Sequence, residues 1–255
     1  MTITLAIANQ KGGVAKTTTV ASLGAALAEQ GSKVLLVDLD PQACLTFSLG
    51  IDPEDVEISV HHVLTKGTDP REVIIETEDG VDLLPATIEL ARAEADLLTR
   101  TGREHVVKMA LEDLDGYDWI LLDCPPSLGV LTVAALTAAT GVLVPLQCET
   151  LSHRGVGQLL DTVHDVRRFT NRKLQVWGVL PTLFDGRTKH ARAVLENISE
   201  TYSLDVIEPP IPKSIRFAEA PAAGRSILGT TRSHRGADAY RHVAANLTEK
   251  VRAGL

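Results

Sequence analysis

The sequence predicts an α/β protein in which a mostly parallel, twisted sheet is covered by helices on both faces. Strand-like apolar runs alternate with helix-like segments along the whole chain, the pattern of such folds. These runs are apolar at nearly every position, as in parallel strands that are buried on both sides. The loop after the first run carries two adjacent glycines and two lysines, which is typical of a phosphate-binding loop between a strand and a helix.

Element boundaries follow the hydropathy pattern and the turn residues. We predict strands at residues 3–8, 33–38, 81–85, 117–123, 141–146, 174–183 and 205–208. We predict helices at residues 20–30, 60–64, 89–100, 103–114, 152–169, 188–201 and 236–251. Because the chain shows no linker, internal repeat or low-complexity segment, we expect a single domain at residues 1–255 without an N-terminal DNA-binding module.

The loop at residues 9–19 is the strongest chemical signal in the chain. The Gly12–Gly13 pair lets the backbone approach phosphates without a Cβ in the way. Lys16 supplies a point charge for the β- and γ-phosphates, and the Thr17 hydroxyl can ligate Mg²⁺. The strict pattern G-x-x-x-x-G-K-[ST] is not met, because its glycine positions hold Gln10 and Ala15. A tight turn with two surface lysines is the simpler alternative.

Acidic residues follow two of the predicted strands. Asp38 ends the second strand with Asp40 just beyond it, and Asp123 ends the strand at residues 117–123. Ligands of open parallel sheets bind at this carboxyl edge. An apolar run that ends in Asp123 is the Walker B arrangement, which places a carboxylate beside Mg²⁺. The alternative is a strand that simply ends at a polar residue, and the loop upstream favours the metal site.

Composition limits the class of protein. With 44% hydrophobic and 23% charged residues, 255 residues are long enough to bury a sizeable core. The net charge of −8 argues against a wholly basic nucleic-acid binder, and 4% aromatic residues argue against base stacking. Three widely spaced cysteines without a C-x-x-C motif predict a reduced, cytoplasmic protein. We expect neither a signal peptide nor a membrane span.

Several motifs together resemble the ParA/MinD family of deviant Walker ATPases, and specifically its short chromosomal ParA (Soj) type. The nucleotide-site motifs are at Lys11–Thr18, Val37–Gln42 and Leu122–Ser127. Further similarity lies at Leu84–Thr87, Val144–Glu149 and Ile211–Pro221, so that the resemblance covers essentially the whole chain. Such proteins usually have glycine where this chain has Ala15, and a methyl group there would tighten the loop if φ must be positive.

The resemblance implies a role for each matched residue, with ATP and Mg²⁺ as cofactors. It implies that Lys16 holds the β- and γ-phosphates, that Thr18 contacts the α-phosphate, and that Lys11 reaches the ATP of a partner subunit in a homodimer. Asp40 would position the attacking water. The implied ligands of Mg²⁺ and its waters are Thr17, Asp38 and Asp123. The other implied nucleotide contacts are Gly12, Gly13, Val14, Ala15 and Pro212.

Members of this family differ in what the ATP-bound dimer binds. ParA-like members coat non-specific double-stranded DNA with a ParB-like partner and locate to the nucleoid, whereas MinD-like members insert a C-terminal amphipathic helix into membrane. The tail at residues 240–255 has a mostly Ala and Val apolar side, which disfavours stable membrane association. The resemblance implies DNA contacts in a basic region toward the C-terminus, and the candidate contacts are Arg187, Lys213, Arg216 and Arg225. The same region also contains Lys189, Arg192, Arg232 and Arg235. A solvated charged face is the alternative.

Other functions remain open at this point. An orphan positioning ATPase would use the same site for another intracellular cargo, and a MinD-like membrane regulator would bind liposomes with ATP. An iron–sulfur reductase of the same superfamily would need cysteines that bridge two subunits, and the spacing of Cys124 and Cys148 gives little support. A binding module without any ATP turnover is the most distant alternative.

Overall fold

The computed structural model describes residues 2–149 and 152–254, except for the side chains of Ser152 and His190. The strands are Ile3–Ile7 (β1), Val34–Asp38 (β2), Ile75–Glu76 (β3), Asp82–Leu84 (β4), Trp119–Asp123 (β5), Gly141–Gln147 (β6) and Gln175–Thr182 (β7). The longer helices are Lys16–Glu29 (α1), Val60–Lys66 (α3), Leu90–Leu97 (α4), Val106–Leu111 (α5), Val130–Ala138 (α6), Ser152–Phe169 (α7), Lys189–Tyr202 (α8) and Arg235–Arg252 (α11). The shorter ones are Cys44–Ser48 (α2), Arg216–Glu219 (α9) and Ile227–Thr230 (α10).

The strands that the structure describes form a seven-stranded sheet in the order β3-β4-β2-β5-β1-β6-β7. All neighbours are parallel except β3 and β4, which form an antiparallel pair at one edge. Alternate side chains of the central strands enter two separate hydrophobic clusters, one on each face of the sheet. Helices α3 to α8 cover one cluster, and α1, α10 and α11 cover the other. The predicted fold class is confirmed.

The strand register brings the polar ends of the central strands together. Asp38 at the end of β2 lies opposite Asp123 at the end of β5, and Ile7 at the end of β1 lies on the other side of Asp123. The loop that follows β1 therefore meets both carboxylates at the carboxyl edge, the edge where ligands bind in open parallel sheets.

Helix α11 packs against α1, the helix that follows the loop, on the same face of the sheet. Its buried residues include Ala237, Tyr240, Val243 and Leu247. The Tyr240 hydroxyl lies 3.0 Å from the Thr19 hydroxyl, and both side chains are fully buried. Leu255 of the tail lies outside the described residues. None of the helices within residues 2–149 and 152–254 has the combined length and hydropathy that a bilayer span requires.

Two predicted elements differ from the structure, and one of its longer helices was not predicted. Residues 205–208 form only a parallel bridge between Val206 and Val179, because the prolines at 209 and 210 lack the N–H groups that a longer ladder needs. The predicted helix at residues 103–114 consists of a 3₁₀ turn at Arg103–His105 followed by the short helix α5. Helix α6 was not predicted, because its almost wholly apolar sequence has no helical period of hydropathy.

The turn between β3 and β4 is tied to the C-terminal region by a buried carboxylate. The Asp79 side chain is only 2% exposed and accepts hydrogen bonds from Arg225 Nε at 2.9 Å and from the Ser226 N–H at 2.6 Å. Arg225 also donates to the Glu78 carbonyl. Since the carboxylate is shielded from water, its partners are costly to remove.

We predict that Asp79→Ala lowers the free energy of unfolding by about 2 kcal/mol, below the 3–5 kcal/mol typical of broken buried pairs because Arg225 is partly exposed. Urea denaturation measures this loss. Glu219→Ala is the control, since its ion pair with Arg216 is more than half exposed on both sides, and we expect a loss under about 1 kcal/mol. Equal losses in the two variants would show that the Asp79 pair is not special.

Candidate functional site

The loop between β1 and α1 is bent by two residues with left-handed backbone. Gly13 has φ 73°, and Ala15 has φ 64° with ψ 36°. We expected a methyl group at residue 15 to tighten the loop only if φ is positive there, and Ala15 has this positive φ. Within the described part of the chain, the backbone N–H groups of residues 12–18 donate no hydrogen bond. These donors surround the N-terminus of α1, and such a ring of free N–H groups binds anions.

Two buried polar side chains, one at the start of the loop and one on β7, hold the loop in place. Asn9 Nδ2 donates to the Pro145 carbonyl of β6 at 2.8 Å, and Asn9 Oδ1 accepts from the Lys11 N–H at 3.0 Å. Thr182 at the end of β7 donates its hydroxyl to the Val14 carbonyl at 2.9 Å. Neither Asn9 nor Thr182 was predicted to have a role in the site. A polar residue at the end of a buried strand is the signal that could have indicated both.

The Lys16 side chain is folded back into the loop. It is 7% exposed, and its Nζ donates to the Lys11 carbonyl at 3.3 Å. Burial lowers the pKa of Lys16, while the negative charges of Asp123 and Asp40 act in the opposite direction. Among the described residues, the hydrogen-bond partner of this buried ammonium is a neutral carbonyl oxygen. The ammonium would bind a charged phosphate oxygen more strongly, since hydrogen bonds between two charged groups are stronger.

Asp38 and Asp123 are fully buried side by side. Burial raises the pKa of Asp38 to about 6, and burial together with the charge of Asp38 raises the pKa of Asp123 well above its usual range. A folded protein with such raised carboxyl pKa values binds protons more tightly than the unfolded chain does. Without a cation, the free energy of unfolding should therefore fall as the pH rises from about 4, the ordinary pKa of an aspartate, to about 6, the raised pKa of Asp38.

The two carboxylates differ in what satisfies them. Asp38 accepts from the Asp40 N–H and from both the N–H and the hydroxyl of Thr46, at 2.8–3.1 Å. Neither oxygen of Asp123 has a hydrogen-bond partner among the described residues, although the nearby Thr17 hydroxyl favours its ionised form. An ionised carboxylate that is buried without partners is costly, and a cation at Asp123 and Thr17 would remove that cost.

The oxygen ligands at this position suit Mg²⁺. Mg²⁺ typically takes one or two protein oxygens and completes its octahedron with water and phosphate oxygens. In the described residues no group of three or more His, Cys, Asp or Glu side chains forms a metal cage. The site therefore fits a metal ion that is bound together with a nucleotide rather than one held by the protein alone.

Asp40 lies on the rim of the site. Its Oδ1 accepts the Gln42 N–H at 2.9 Å, and its carbonyl accepts the Ala43 N–H at 2.8 Å. The side chain remains half-buried, and its charge acts on both Lys16 and Asp123. A carboxylate that is oriented by one N–H and open to solvent on its other side can hold a water molecule, the geometry that general base catalysis requires.

Lys11 is bound within its own chain. Its Nζ lies 2.5 Å from Glu149 Oε2, with the two side chains 33% and 53% exposed. The sequence did not assign a role to Glu149, which is 138 residues away along the chain. Exposed ion pairs of this kind contribute about 0–1 kcal/mol, so Lys11 can leave this position at low cost.

Pro212 lies beside the end of β7. Phe184 and Pro212 form a parallel bridge, and the Phe184 N–H donates to the Ile211 carbonyl at 2.9 Å. This segment follows Thr182, which contacts the loop, so the structure brings Pro212 toward the site. Thr18 is half-buried on the first turn of α1.

The predicted DNA-binding residues fall into two groups. Arg187 is 91% exposed and pairs with Asp185. Hydrogen bonds from Arg187, assisted by the charges of Arg187 and Lys213, lower the pKa of Asp185 to about 2. Arg216 is exposed three residues beyond Lys213 and pairs with Glu219. Arg225 is different, because Asp79 holds its guanidinium as described above. The structure therefore brings Arg187 and Lys213 close to the same carboxylate. Arg225 instead has a structural role, because it is paired with the buried Asp79.

We predict that Ala15→Gly raises the free energy of unfolding by up to about 1 kcal/mol, because glycine adopts a positive φ without the steric cost that a Cβ adds. Urea denaturation of the nucleotide-free protein measures the change. Ala25→Gly in the middle of α1 is the matched control, and it should destabilise by about 1 kcal/mol. A loss of stability in both variants would contradict the left-handed conformation of Ala15.

Comparison with known proteins places this site in a family. A family model described as an AAA domain matches residues 2–176. The sporulation initiation inhibitor protein Soj of Bacillus subtilis (strain 168) is 44% identical over 248 residues, covering 95% of this chain and 98% of Soj. The chromosome partitioning protein ParA of Caulobacter vibrioides (strain NA1000 / CB15N) is 38% identical over 252 residues, covering 97% and 94% of the two chains.

Solved structures agree with this placement in fold and in ligands. Crystal structures described as cobyrinic acid a,c-diamide synthase from Mycobacterium smegmatis, with bound ADP and magnesium or with bound ATP analog and magnesium, are 54% identical to this chain with a TM-score of 0.90. They cover 100% of this chain, and the match covers 97% and 98% of those chains. With the loop, the paired carboxylates and these relatives in view, the chain belongs to the ParA/Soj-type family of partitioning ATPases.

Proposed function

We propose that this partitioning ATPase is a nucleotide-controlled switch for DNA segregation. Two chains close into a dimer around ATP and Mg²⁺, the dimer binds double-stranded DNA without sequence preference, and hydrolysis releases it. A ParB-like partner and DNA accelerate a slow intrinsic turnover. The nucleotide part is supported by the buried carboxylate of Asp123, which has no hydrogen-bond partner in the described part of the chain, beside the buried ammonium of Lys16. The carboxylate requires a cation and the ammonium requires an anion.

Each residue of the site has a physical reason for its proposed role. Lys16 and the free N–H groups of residues 12–18 hold the phosphates, and Thr17 and Asp123 hold Mg²⁺. Asp38 orients Asp40 and Thr46 by hydrogen bonds, and acts on the metal through its charge and through water. Pro212 lines the nucleotide from the β7 side. Bound Mg²⁺ neutralises the charge that develops on phosphate oxygens during transfer.

We predict that Asp40→Ala stops ATP hydrolysis while leaving nucleotide-dependent dimers intact, because the residue orients water rather than holding phosphate. Phosphate release should fall by about 10²–10⁴-fold, the usual contribution of a general base. Light scattering with ATP and Mg²⁺ measures the dimer. Asp55→Ala, an exposed acid away from the loop, is the control and should keep the wild-type rate. Phosphate release at the wild-type rate in Asp40→Ala would exclude the role of Asp40.

Lys11 connects the site to dimerisation. In the single chain its ammonium pairs with Glu149 on the surface, and we propose that it exchanges this partner for the phosphates of the other subunit. Phosphate oxygens carry more charge than one carboxylate, and charge-assisted contacts that are shielded from water are stronger than exposed ones. The dimer would then be stabilised by bound nucleotide through mass action.

The DNA-binding surface would be the exposed basic residues near the end of β7. Arg187 lies between β7 and α8, Lys213 lies just before α9, and Arg216 is the first residue of α9. The net charge of the whole protein is −8. A local basic surface of this kind contacts phosphates and reads no sequence. Two copies of this surface in a dimer would bind with a steep dependence on salt. A DNA contact of Arg225 remains a prediction and would require release from Asp79.

We predict that Arg187→Glu with Lys213→Glu weakens DNA binding about tenfold or more and lowers the salt slope by about four, close to one for each phosphate contact that the two subunits of the dimer lose. Co-sedimentation with DNA under ADP, ATP and a non-hydrolysable analogue at two salt concentrations measures this. Arg172→Glu with Lys173→Glu is the matched control, because these exposed residues precede the amino end of β7, whereas Arg187 follows its carboxyl end. Equal weakening in both pairs would indicate bulk charge only.

A second candidate function comes from the relatives described as cobyrinic acid a,c-diamide synthase. Such a synthase would also use ATP, and amide transfer from glutamine commonly needs a reactive thiolate. The pKa values of Cys44, Cys124 and Cys148 are all raised, mainly by burial, which disfavours the thiolate. We therefore favour the DNA-segregation switch. ATP-dependent amidation of a cobyrinic acid substrate, together with an ATPase rate that DNA does not change, would support the synthase function instead.

A further inference from the structure

The outer edge of the sheet beside β7 carries a groove that the nucleotide site does not use. It lies between α8 and residues 206–210, with a volume of about 560 Å³, within the range of ligand and peptide sites. We call it the edge groove and define it by Phe184, Leu195, Glu196, Glu200, Val206 and Glu208. The loop at residues 9–18 contributes nothing to its lining.

The floor of the edge groove is apolar and only partly covered. Phe184, Leu195 and Val206 pack on the hydrophobic cluster beneath α8, yet each keeps part of its side chain exposed. They come from three different segments that meet in a concave surface. Apolar side chains that converge in a concavity gain further free energy when a partner excludes the remaining water.

The rim of the edge groove is acidic on both sides. Glu196 and Glu200 lie one turn apart on α8, and Glu208 lies on the opposite wall. All three are exposed, and none forms an ion pair among the side chains that the structure describes. Like charges at i and i+4 destabilise a helix by a few tenths of a kcal/mol, so a cation bound between them would be favourable.

One basic residue, Arg192, also lines the groove. It lies one turn before Glu196 on α8, and its guanidinium donates to the Gly186 carbonyl without an ion pair to the three glutamates among the described side chains. Helix α8 therefore has bases near its start, at Lys189 and Arg192, and acids in its second half. The charge pattern excludes a polyanion such as DNA from the acidic half of the groove.

We propose that the edge groove docks a basic, amphipathic segment of a partner protein. Two or three apolar side chains on one face of the segment cover Phe184, Leu195 and Val206, and Lys or Arg residues on its flanks pair with the three glutamates. This is the helix-in-groove mode of peptide recognition, in which apolar anchors supply affinity and charges supply specificity. The proposal does not depend on ATP hydrolysis or on DNA binding.

The test uses a fluorescein-labelled, 18-residue peptide of Leu and Lys with an amphipathic helical pattern, and fluorescence anisotropy with the wild-type chain at about 0.15 M salt. Two comparison peptides replace every Leu by Ser, or every Lys by Glu. We expect the Leu/Lys peptide to bind at least about tenfold more tightly than either comparison peptide, because it alone matches both floor and rim. Equal binding of the Leu/Lys and Ser/Lys peptides would overturn the proposal.

Variants then locate the site. Glu196→Lys with Glu200→Lys and Glu208→Lys should weaken binding of the Leu/Lys peptide by about tenfold or more. Glu54→Lys with Asp55→Lys and Glu57→Lys makes the same charge change at exposed residues before α3, and binding should stay within about twofold. Equal weakening by both sets would show general attraction to an acidic protein and would overturn the groove.

The apolar floor is tested separately. Leu195→Ser should weaken the Leu/Lys peptide and leave the Ser/Lys peptide unchanged, which a general loss of stability would not do. Self-association without nucleotide or peptide that disappears in the triple glutamate variant would assign the groove to a second copy of this chain, and would overturn the partner proposal.

Discussion

The burial of opposite charges at one edge of the sheet is the constraint on which the rest of the structure depends. Asp38, Asp123 and Lys16 are all buried. Burial raises the pKa of the two carboxyl groups and lowers the pKa of the ammonium, so that it favours the neutral form of each. An apolar sheet alone would not tolerate this arrangement. It becomes favourable when a cation and phosphate oxygens complete it, which links the stability of the carboxyl edge to the ligand.

Rigid supports hold this edge in the shape that binds phosphate. The loop is fastened from β6 through Asn9 and from β7 through Thr182, while α1 is fastened to α11 through Thr19 and Tyr240. These contacts come from two neighbouring strands and from the helices on one face of the sheet. The free N–H groups of the loop therefore point at a fixed position, and little reorganisation is needed when an anion binds.

Charge is distributed unevenly over a protein that is acidic as a whole. The exposed bases at Arg187, Lys213 and Arg216 lie next to the end of β7, whereas the acidic half of the edge groove lies further along α8. A polyanion and a basic segment could thus bind neighbouring surfaces without competing for the same side chains. The electrostatic field of each surface would attract the partner of opposite charge and repel the other partner.

The sequence by itself determined the class of fold and the chemistry of the loop, because long apolar runs, Gly12–Gly13 and Lys16 carry local signals that need no tertiary contact. Short or wholly apolar elements such as β3 and α6 escaped prediction, because a few residues or an unbroken apolar run have no distinctive period.

Only the tertiary structure decided which distant residues meet. Asn9 and Pro145 are 136 residues apart, and Thr182 and Val14 are 168 apart. The order of the strands, which no local pattern encodes, placed Asp38 against Asp123 and left the oxygens of Asp123 without hydrogen-bond partners among the residues that the structure describes. It also separated Arg225, bound by Asp79, from the exposed bases that the sequence had grouped with it, since burial and pairing are properties of the packed chain.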